Sequence, residues 1–292
     1  QRECKGCACL GDYARIKLFL RSDMDFIAMP DRFFSDTPIN PTQTRVTLRG
    51  DESQHLAVVL RAKAGTEIMV FDGSGAEWPG RVAAVSKSAV EVELGAPRAA
   101  EPVGSTLTLA VALPKGDRQK WLVEKCVELG VSQLVPLLTA RGVAQPVDSA
   151  LARLKRAVIE ASKQSGQLRL MEIAPPRAWN EFVREAATES KPMRCVAQPK
   201  RTPETRELLA DRSLTEQASL WRTPREWLQP ATNRIAAIGP EGGFTTAELR
   251  AAVEAGWQLL DLGSGILRVE TAALTIAAWQ KLDSTTLGND DA

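Results

Sequence analysis

Histidine is almost absent from this sequence, since His55 is the only one among 292 residues. Catalytic triads that use an imidazole as the base, and metal sites built from several histidines, are therefore disfavoured. His55 itself is interpreted as a helix residue with its hydrogen bonds satisfied rather than as a catalyst.

Long apolar runs are also missing. No segment approaches the roughly 20 apolar residues that cross a bilayer. The apolar stretch 16–20 is too short for a signal core and has Asp12, Asp23 and Asp25 around it. With 44% hydrophobic and 25% charged residues, the composition is that of a soluble globular protein. The sequence therefore predicts a cytoplasmic protein without a membrane segment.

The chain has no overall basic field, because its formal net charge at pH 7 is only +1. A role in nucleic-acid binding would thus depend on a local patch. One such patch has eleven basic and six acidic residues between Lys115 and Arg177. On charge alone, it is compatible both with a solvated helix face and with RNA contact.

Cysteine is sparse and unevenly placed. Cys4, Cys7 and Cys9 crowd the start of the chain, while Cys126 and Cys195 stand alone. The N-terminal cluster lacks a fourth metal ligand nearby, so no metal site is predicted, and residues 1–28 are interpreted as a disordered extension or a misassigned start. Cys126 and Cys195 are expected to be small buried residues in a reducing compartment.

The first part of the chain is rich in short β-segments. Strands are predicted at 45–48, 67–71, 77–85 and 89–94, and one helix at 51–60, in which Leu56, Val59 and Leu60 recur at helical spacing. Several short strands with one helix favour a small β-barrel domain, placed at residues 29–98.

After a linker at 96–105, strands alternate with helices over residues 104–284. Strands are predicted at 106–113, 133–137 and 194–197, and helices at 117–129 and 149–165. This alternation is typical of a parallel α/β sheet. Residues 198–232 are polar and weakly patterned, and 214–227 is interpreted as a loop or insertion.

Two strand–loop–helix units end this second part. The strand at 234–238 leads into Gly239-Pro-Glu-Gly-Gly-Phe244, after which Thr245 and Glu248 match a capping box at a helix start. The strand at 257–262 leads into Gly263-Ser-Gly265 and a helix from Ile266 onward. Because ligands usually bind where the strands of an α/β sheet end, the two loops predict a small-molecule site.

The residues of the two loops restrict the classes of ligand that could bind there. Neither the phosphate-loop motif G-x-x-x-x-G-K-[ST] nor the dinucleotide motif G-x-G-x-x-G occurs. Their absence disfavours a site for a nucleoside triphosphate and disfavours a nicotinamide-dependent oxidoreductase. Glu241 would repel a pyrophosphate but tolerate a cation, such as the sulfonium of S-adenosylmethionine. Methyl transfer from a sulfonium needs positioning and help with one proton, not a nucleophile or a metal.

At these loops the sequence resembles a known family. Gly239–Phe244 followed by Leu262–Ala272 closely resembles the paired signature of the bacterial 16S ribosomal RNA uridine N3-methyltransferases, the RsmE family of the SPOUT superfamily. Further similar stretches are Arg32–Phe34, His55–Arg61, Lys125–Gly130 and Glu160–Gly166, so that the similarity runs from about Met29 to Leu282.

The resemblance implies a PUA-like β-barrel that helps to hold RNA, joined to a SPOUT domain with a C-terminal trefoil knot. It also implies a homodimer, S-adenosylmethionine as cofactor, no metal, and 16S rRNA within the small ribosomal subunit as partner. Arg268 would stabilise charge on the target uridine, and Glu270 would orient the loop or the base. The cofactor would contact Ile238, Gly239, Glu241, Gly242, Gly243, Leu262, Gly263, Ile266, Leu267 and Thr271. The RNA would contact Arg32, His55, Arg61, Lys115, Arg118, Gln164 and Arg169.

Two positions depart from the family pattern. Ser264-Gly265 stands where the family usually has a bulkier residue, often arginine, and Gln167 replaces an arginine for which Arg169 is a substitute. Both changes would weaken RNA contact without affecting the cofactor. Two alternatives stay open, a SPOUT methyltransferase acting on another rRNA or tRNA position and a non-catalytic RNA-binding assembly factor.

Overall fold

A computed structural model of the chain describes residues 31–86, 88–98, 105–143, 147–188, 192–211, 220–229 and 233–286. The predicted extension at 1–28, with Cys4, Cys7 and Cys9, lies outside the described residues. Among the helices of the described part, none is both long and apolar enough to cross a membrane.

The N-terminal part forms a five-stranded sheet in the order β1-β3-β4-β5-β2. Alternate residues of β2 and β5 point inward, and the sheet curls around a core that includes Phe33, Leu48, Leu56 and Trp78. The four predicted strands are confirmed to within one residue. The strands are β1 Arg32–Phe34, β2 Arg45–Arg49, β3 Glu67–Phe71, β4 Glu77–Val85 and β5 Ala89–Leu94.

The helix between β2 and β3 is not regular. Helix α1, Gly50–Gln54, continues as a π-helical turn at His55–Val59. A five-residue hydrogen-bond spacing widens the turn, so only Leu56 is buried, while Val59 is 68% and Leu60 41% exposed. The helix predicted at 51–60 is therefore an α-helix followed by a π-helical turn, and the three apolar residues do not share one buried face.

The C-terminal part is a parallel sheet in the order β11-β13-β10-β12-β6-β7-β8, with β9 paired to β7. Strand β12 lies between β6 and β10, and β13 lies beyond β10, so the chain crosses β10 before the last helix returns to pack on β6 and β12. The strands are β6 Thr106–Val111, β7 Gln133–Leu138, β8 Glu172–Ile173, β9 Arg177–Ala178, β10 Met193–Ala197, β11 Trp221–Arg222, β12 Asn233–Ile238 and β13 Gln258–Leu260.

Helices cover both faces of this sheet and enclose one core on each. On one face Leu122, Leu154 and Ile276 are fully buried, and on the other Trp179, Phe244 and Trp257 are. The helices are α2 Arg118–Glu128, α3 Asp148–Ser165, α4 Trp179–Thr188, α5 Pro203–Ala210, α6 Pro224–Trp227, α7 Thr246–Glu254 and α8 Val269–Thr286.

The weakly patterned stretch holds more structure than the sequence indicated. The interpretation of 214–227 as a loop was wrong at 221–222, a short strand, and at 224–227, a helical turn whose Trp227 is completely buried. Residues 212–219 lie outside the described part. Helix α5 was missed although Thr202 caps it, its side chain accepting from the Thr205 N–H, with Pro203 in the first turn.

Candidate active site

Three loops meet at one edge of the parallel sheet. They follow β10, β12 and β13, which are neighbours in the sheet and run in the same direction. Between the loops lies a cavity of about 420 Å³. Its lining is Ala197, Gln198, Pro199, Thr202, Pro203, Glu204, Ile238, Gly239, Pro240, Glu241, Gly242, Gly243, Phe244, Asp261, Leu262, Gly263, Gly265, Ile266, Leu267, Arg268, Val269 and Ala272.

The first loop depends on its glycines. A Cβ added at Gly239 would come within 2.9 Å of the ring of Phe244, which is buried and stacked near Trp179 at 4.3 Å between ring centroids. Gly243 has a φ of +70°, the left-handed region that favours glycine, and its N–H donates to the Pro240 carbonyl at 2.8 Å. Together these contacts fix a tight turn with its backbone facing the cavity.

The predicted capping box at the next helix is confirmed. Thr245 accepts from the Glu248 N–H at 3.2 Å, and the Glu248 carboxylate accepts from the Thr245 N–H at 2.8 Å. The box fixes where α7 begins, and so where the first loop ends.

The second loop is more open. Gly263 has a φ of +122°, and its N–H donates to Asp261 Oδ1 at 3.3 Å. Ile266 is 86% and Leu267 36% exposed, and the Arg268 side chain is exposed too. Helix α8 begins at Val269 rather than at Ile266 as predicted, because the residues before it extend along the cavity instead of packing on the core.

Sequence reasoning missed the third loop, residues 198–204. Gln198 donates from Nε2 to the hydroxyls of Thr202 and Thr205 at 2.9 and 3.0 Å, which holds the segment against the start of α5. The strand at 194–197 was predicted, and its parallel direction would have placed its carboxyl end at the same sheet edge. That inference was not drawn because the residues that follow have a weak pattern.

An arginine joins the two glycine loops. Arg118, at the start of α2, donates from Nη2 to Glu241 Oε1 at 2.7 Å and from Nη1 to Glu270 Oε1 at 3.4 Å. The hydrogen bond to Glu241 is the largest of the causes that raise the pKa of Arg118. The negative charge of Glu241, expected to face a cationic ligand, is thus paired with a protein cation.

Glu270 itself is nearly buried. Its side chain is 9% exposed, and its second oxygen, Oε2, has no hydrogen-bond partner within the described part of the chain. Glu270 is not among the residues that line the cavity, whereas Arg268, two residues earlier, is. The two predicted catalytic side chains are therefore placed differently, one at the cavity and one behind it.

A second arginine reaches the first loop from another direction. Arg141 donates from Nη1 to the Gly242 carbonyl at 2.8 Å and to Glu204 Oε1 at 2.7 Å. The hydrogen bond from Arg141 is the main cause that lowers the pKa of Glu204 below its ordinary value. Gly242 of the first loop and Glu204 at the end of the third loop are joined in this way.

The predicted cofactor residues come together almost completely. Nine of the ten line the cavity, and Thr271 does not. Thr271 is exposed in the first turn of α8, where its carbonyl accepts from the Thr275 hydroxyl at 2.8 Å. Whether these residues bind the cofactor stays a prediction.

The predicted RNA-binding residues differ in their contacts and exposure. Arg32 pairs with Glu77 at 3.3 Å, and its side chain is 16% exposed. His55 makes an edge-on ring contact with Phe33, with 5.9 Å between centroids. Arg169 donates to the Ser74 carbonyl. Arg61, Lys115 and Gln164 are exposed, and Arg118 is half-buried. Their contact with RNA stays a prediction.

Comparison with known proteins decides the family. A model of the RNA methyltransferase domain matches residues 101–281, and a model of the RNA methyltransferase PUA domain matches residues 48–95. The chain belongs to the ribosomal RNA small subunit methyltransferase E family. The resemblance seen in the sequence is confirmed, and so is the SPOUT fold preceded by a PUA-like domain.

Individual relatives span most of the chain. A ribosomal RNA small subunit methyltransferase E from Synechocystis sp. is 32% identical over 79% of this chain and 70% of its own length. Another from Rickettsia conorii is 30% identical over 82% and 90%. The crystal structure of such an enzyme from Neisseria gonorrhoeae, bound to S-adenosyl methionine, superposes with a TM-score of 0.70 at 29% identity, covering 87% of this chain and 98% of that one.

Proposed function

We propose that this chain transfers a methyl group from S-adenosylmethionine to N3 of a uridine in the 16S rRNA of the small ribosomal subunit. The observation that carries the proposal is the cavity between the three loops. Its lining includes the glycines of the first loop and the exposed residue Arg268. Membership of the family supports both the reaction and the class of RNA.

The residues of the cavity fit a cofactor of this size and character. A volume of about 420 Å³ lies within the range of sites for small molecules. Gly239 cannot carry a side chain without displacing Phe244, so the backbone is left bare for close approach. Ile238, Leu262 and Leu267 supply apolar surface. Since Glu241 is paired with Arg118, we attribute binding to shape and backbone hydrogen bonds rather than to attraction between Glu241 and the sulfonium.

The bound cofactor supplies a methyl group on a positively charged sulfur, which keeps the electron pair of the bond that breaks. Uridine N3 carries a weakly acidic proton, and negative charge spreads onto the flanking carbonyl oxygens as that proton leaves. We assign Arg268 to stabilise this charge, because it is an exposed cationic residue that lines the cavity. Glu270 is assigned to orientation, because its carboxylate lies behind the cavity against Arg118.

The RNA would be held outside the cavity. A uridine within a structured RNA has to leave its stack to enter the cavity. The basic residues between 115 and 177, with Arg32, His55 and Arg61 of the PUA-like domain, are proposed to contact the surrounding phosphates.

We also propose a homodimer that works in the cytoplasm, with domain boundaries at 29–98 and 104–284. Large apolar side chains exposed near the second loop and on α2 and α8 support a subunit interface: Ile266 is 86%, Leu282 65% and Trp121 45% exposed. Light scattering coupled to size-exclusion chromatography measures the mass directly, and a monomer at micromolar concentration would contradict this part of the proposal.

The substrate class is tested by methyl transfer from radiolabelled S-adenosylmethionine to purified particles. Small subunits that lack the modification should be labelled to about one methyl per particle. Large subunits, transfer RNA and already modified small subunits serve as controls and should stay unlabelled. Labelling of transfer RNA or large subunits would favour a SPOUT enzyme with another target, and no labelling at all would favour a non-catalytic assembly factor.

A further inference from the structure

The glycine loop Gly239–Gly243 is held from outside by two arginines that belong to other parts of the chain. Arg118 comes from the start of α2, and Arg141 comes from the segment after β7. We call these two residues the arginine clasp. One contacts a loop side chain and the other contacts a loop carbonyl, so the loop is fixed at two successive positions, 241 and 242.

Arg118 uses two different nitrogens for two different loops. Its Nη2 donates to Glu241 of the first loop, and its Nη1 donates to Glu270, which follows the second loop. A planar guanidinium can serve two carboxylates in fixed directions, whereas a lysine ammonium acts as one point charge on a flexible stem. The distance between Glu241 and Glu270, and with it the spacing of the two loops, therefore depends on the side chain of Arg118.

Arg141 joins the first loop to the third. Its Nη1 lies 2.8 Å from the Gly242 carbonyl and 2.7 Å from Glu204 Oε1. Its aliphatic stem lies against Gly242, where an added Cβ would be 3.4 Å from Arg141 Cβ. Together, the clasp connects the first loop to the third loop and to Glu270 in the helix that follows the second loop.

Stability of the fold does not account for the contact between Arg118 and Glu241. Both side chains are 42% exposed, and exposed ion pairs contribute little to the free energy of unfolding. A loop with three glycines, however, has much conformational freedom to lose when a ligand binds. Holding the loop in place beforehand lowers that cost and strengthens binding.

We propose that Arg118 and Arg141 are positioning residues that hold the cavity loops in the shape that receives the methyl donor. This inference rests on the proposed function, and it gives Arg118 a role in addition to the RNA contact predicted from the sequence. Neither residue lines the cavity, so both act through the loops.

The test measures cofactor affinity and catalysis separately in the full chain. Variants Arg118→Ala, Arg118→Lys and Arg141→Ala are compared with Arg250→Ala. This control variant removes the ion pair between Arg250 of α7 and Asp211 at the end of α5. Neither residue lines the cavity. Calorimetric titration with S-adenosylmethionine gives Kd, and methylation of small subunits gives kcat and the KM of each substrate.

The clasp predicts a Kd for S-adenosylmethionine raised about tenfold in Arg118→Ala and Arg141→Ala, with smaller loss in Arg118→Lys and none in Arg250→Ala. In Arg250→Ala, kcat, both KM values and Tm should match those of the unsubstituted protein. In Arg118→Ala and Arg141→Ala, the rise in the KM for S-adenosylmethionine should exceed any fall in kcat at saturating cofactor. In Arg118→Ala combined with Glu241→Ala, the loss should be smaller than the sum of the two single losses.

Two results would overturn the inference. An unchanged Kd for the cofactor in both alanine variants would show that the loops keep their shape without the clasp. A raised KM for the small subunit with unchanged cofactor Kd would assign Arg118 to RNA contact instead. If the unsubstituted protein itself fails to bind S-adenosylmethionine, the proposed function fails, which is a separate outcome.

Discussion

Glu248 accepts a hydrogen bond on Oε1 from the main-chain N–H of Ala140, 108 residues earlier, at 2.8 Å. Its other oxygen, Oε2, accepts from the N–H and the hydroxyl of Thr245. One carboxylate thus closes the cap of α7 and also fixes the segment that carries Arg141. Glu248 is only 6% exposed, so water is a poor replacement for either contact.

Replacement of Glu248 should therefore cost more than replacement of its cap partner. We predict that Glu248→Ala lowers the free energy of unfolding by about 2–3 kcal/mol, because it leaves partly buried N–H groups without acceptors. Thr245→Ala should cost about 1 kcal/mol, the usual value of a cap alone. Urea denaturation followed by circular dichroism measures both, and equal losses would contradict a second role for Glu248.

Two glycines of the cavity should respond differently to the same added methyl group. Gly239→Ala places a Cβ against the buried ring of Phe244 at 2.9 Å, which costs roughly 1–3 kcal/mol of stability and distorts the first loop. Gly265→Ala meets nothing within 4 Å and serves as the matched control. Cofactor titration and thermal melting should separate the two variants, and a Gly239→Ala protein that binds like the unsubstituted chain would refute this packing argument.

Arg268→Ala should remove catalysis without removing the cofactor. Loss of a charge-stabilising group typically lowers kcat by about 100-fold or more. The Kd for S-adenosylmethionine should change little, because the Arg268 side chain is exposed and the cavity keeps its backbone walls. Single-turnover methylation and calorimetry give the two numbers, and full activity in this variant would remove Arg268 from the mechanism.

The two described cysteines should be chemically inert in the folded protein. Burial raises the pKa of both Cys126 and Cys195 to about 12, so the reactive thiolate is scarce at pH 8. A pulse of iodoacetamide followed by peptide mass spectrometry should modify them far more slowly in native than in urea-unfolded protein. Rapid native labelling of either would indicate that its surroundings open readily.

The sequence was most informative where local rules act. Strands β2 and β5 alternate between buried and exposed residues, and the capping box of Thr245 and Glu248 depends on residues three apart, so both were predictable. The two glycine loops likewise sit where apolar strands end. Their assignment to one cavity followed from the general geometry of parallel sheets.

What could not be predicted depends on contacts between distant residues. Nothing in the sequence pairs Arg118 with Glu241, 123 residues later, so the charge of Glu241 looked free for a ligand. The π-helical turn at His55–Val59 changes which apolar residues are buried, although the spacing favours an ordinary helix. The crossing of the chain over β10 is a property of strand order, which periodicity does not encode.

The most direct test of the account is to locate the methyl group that the protein adds. Small subunits lacking the modification are incubated with the protein and S-adenosylmethionine, and their 16S rRNA is digested and sequenced by mass spectrometry. We predict one new methyl group, on N3 of a single uridine. The Arg268→Ala variant in the same assay should add none. Methylation of another base, of a ribose, or of several scattered uridines would contradict the account.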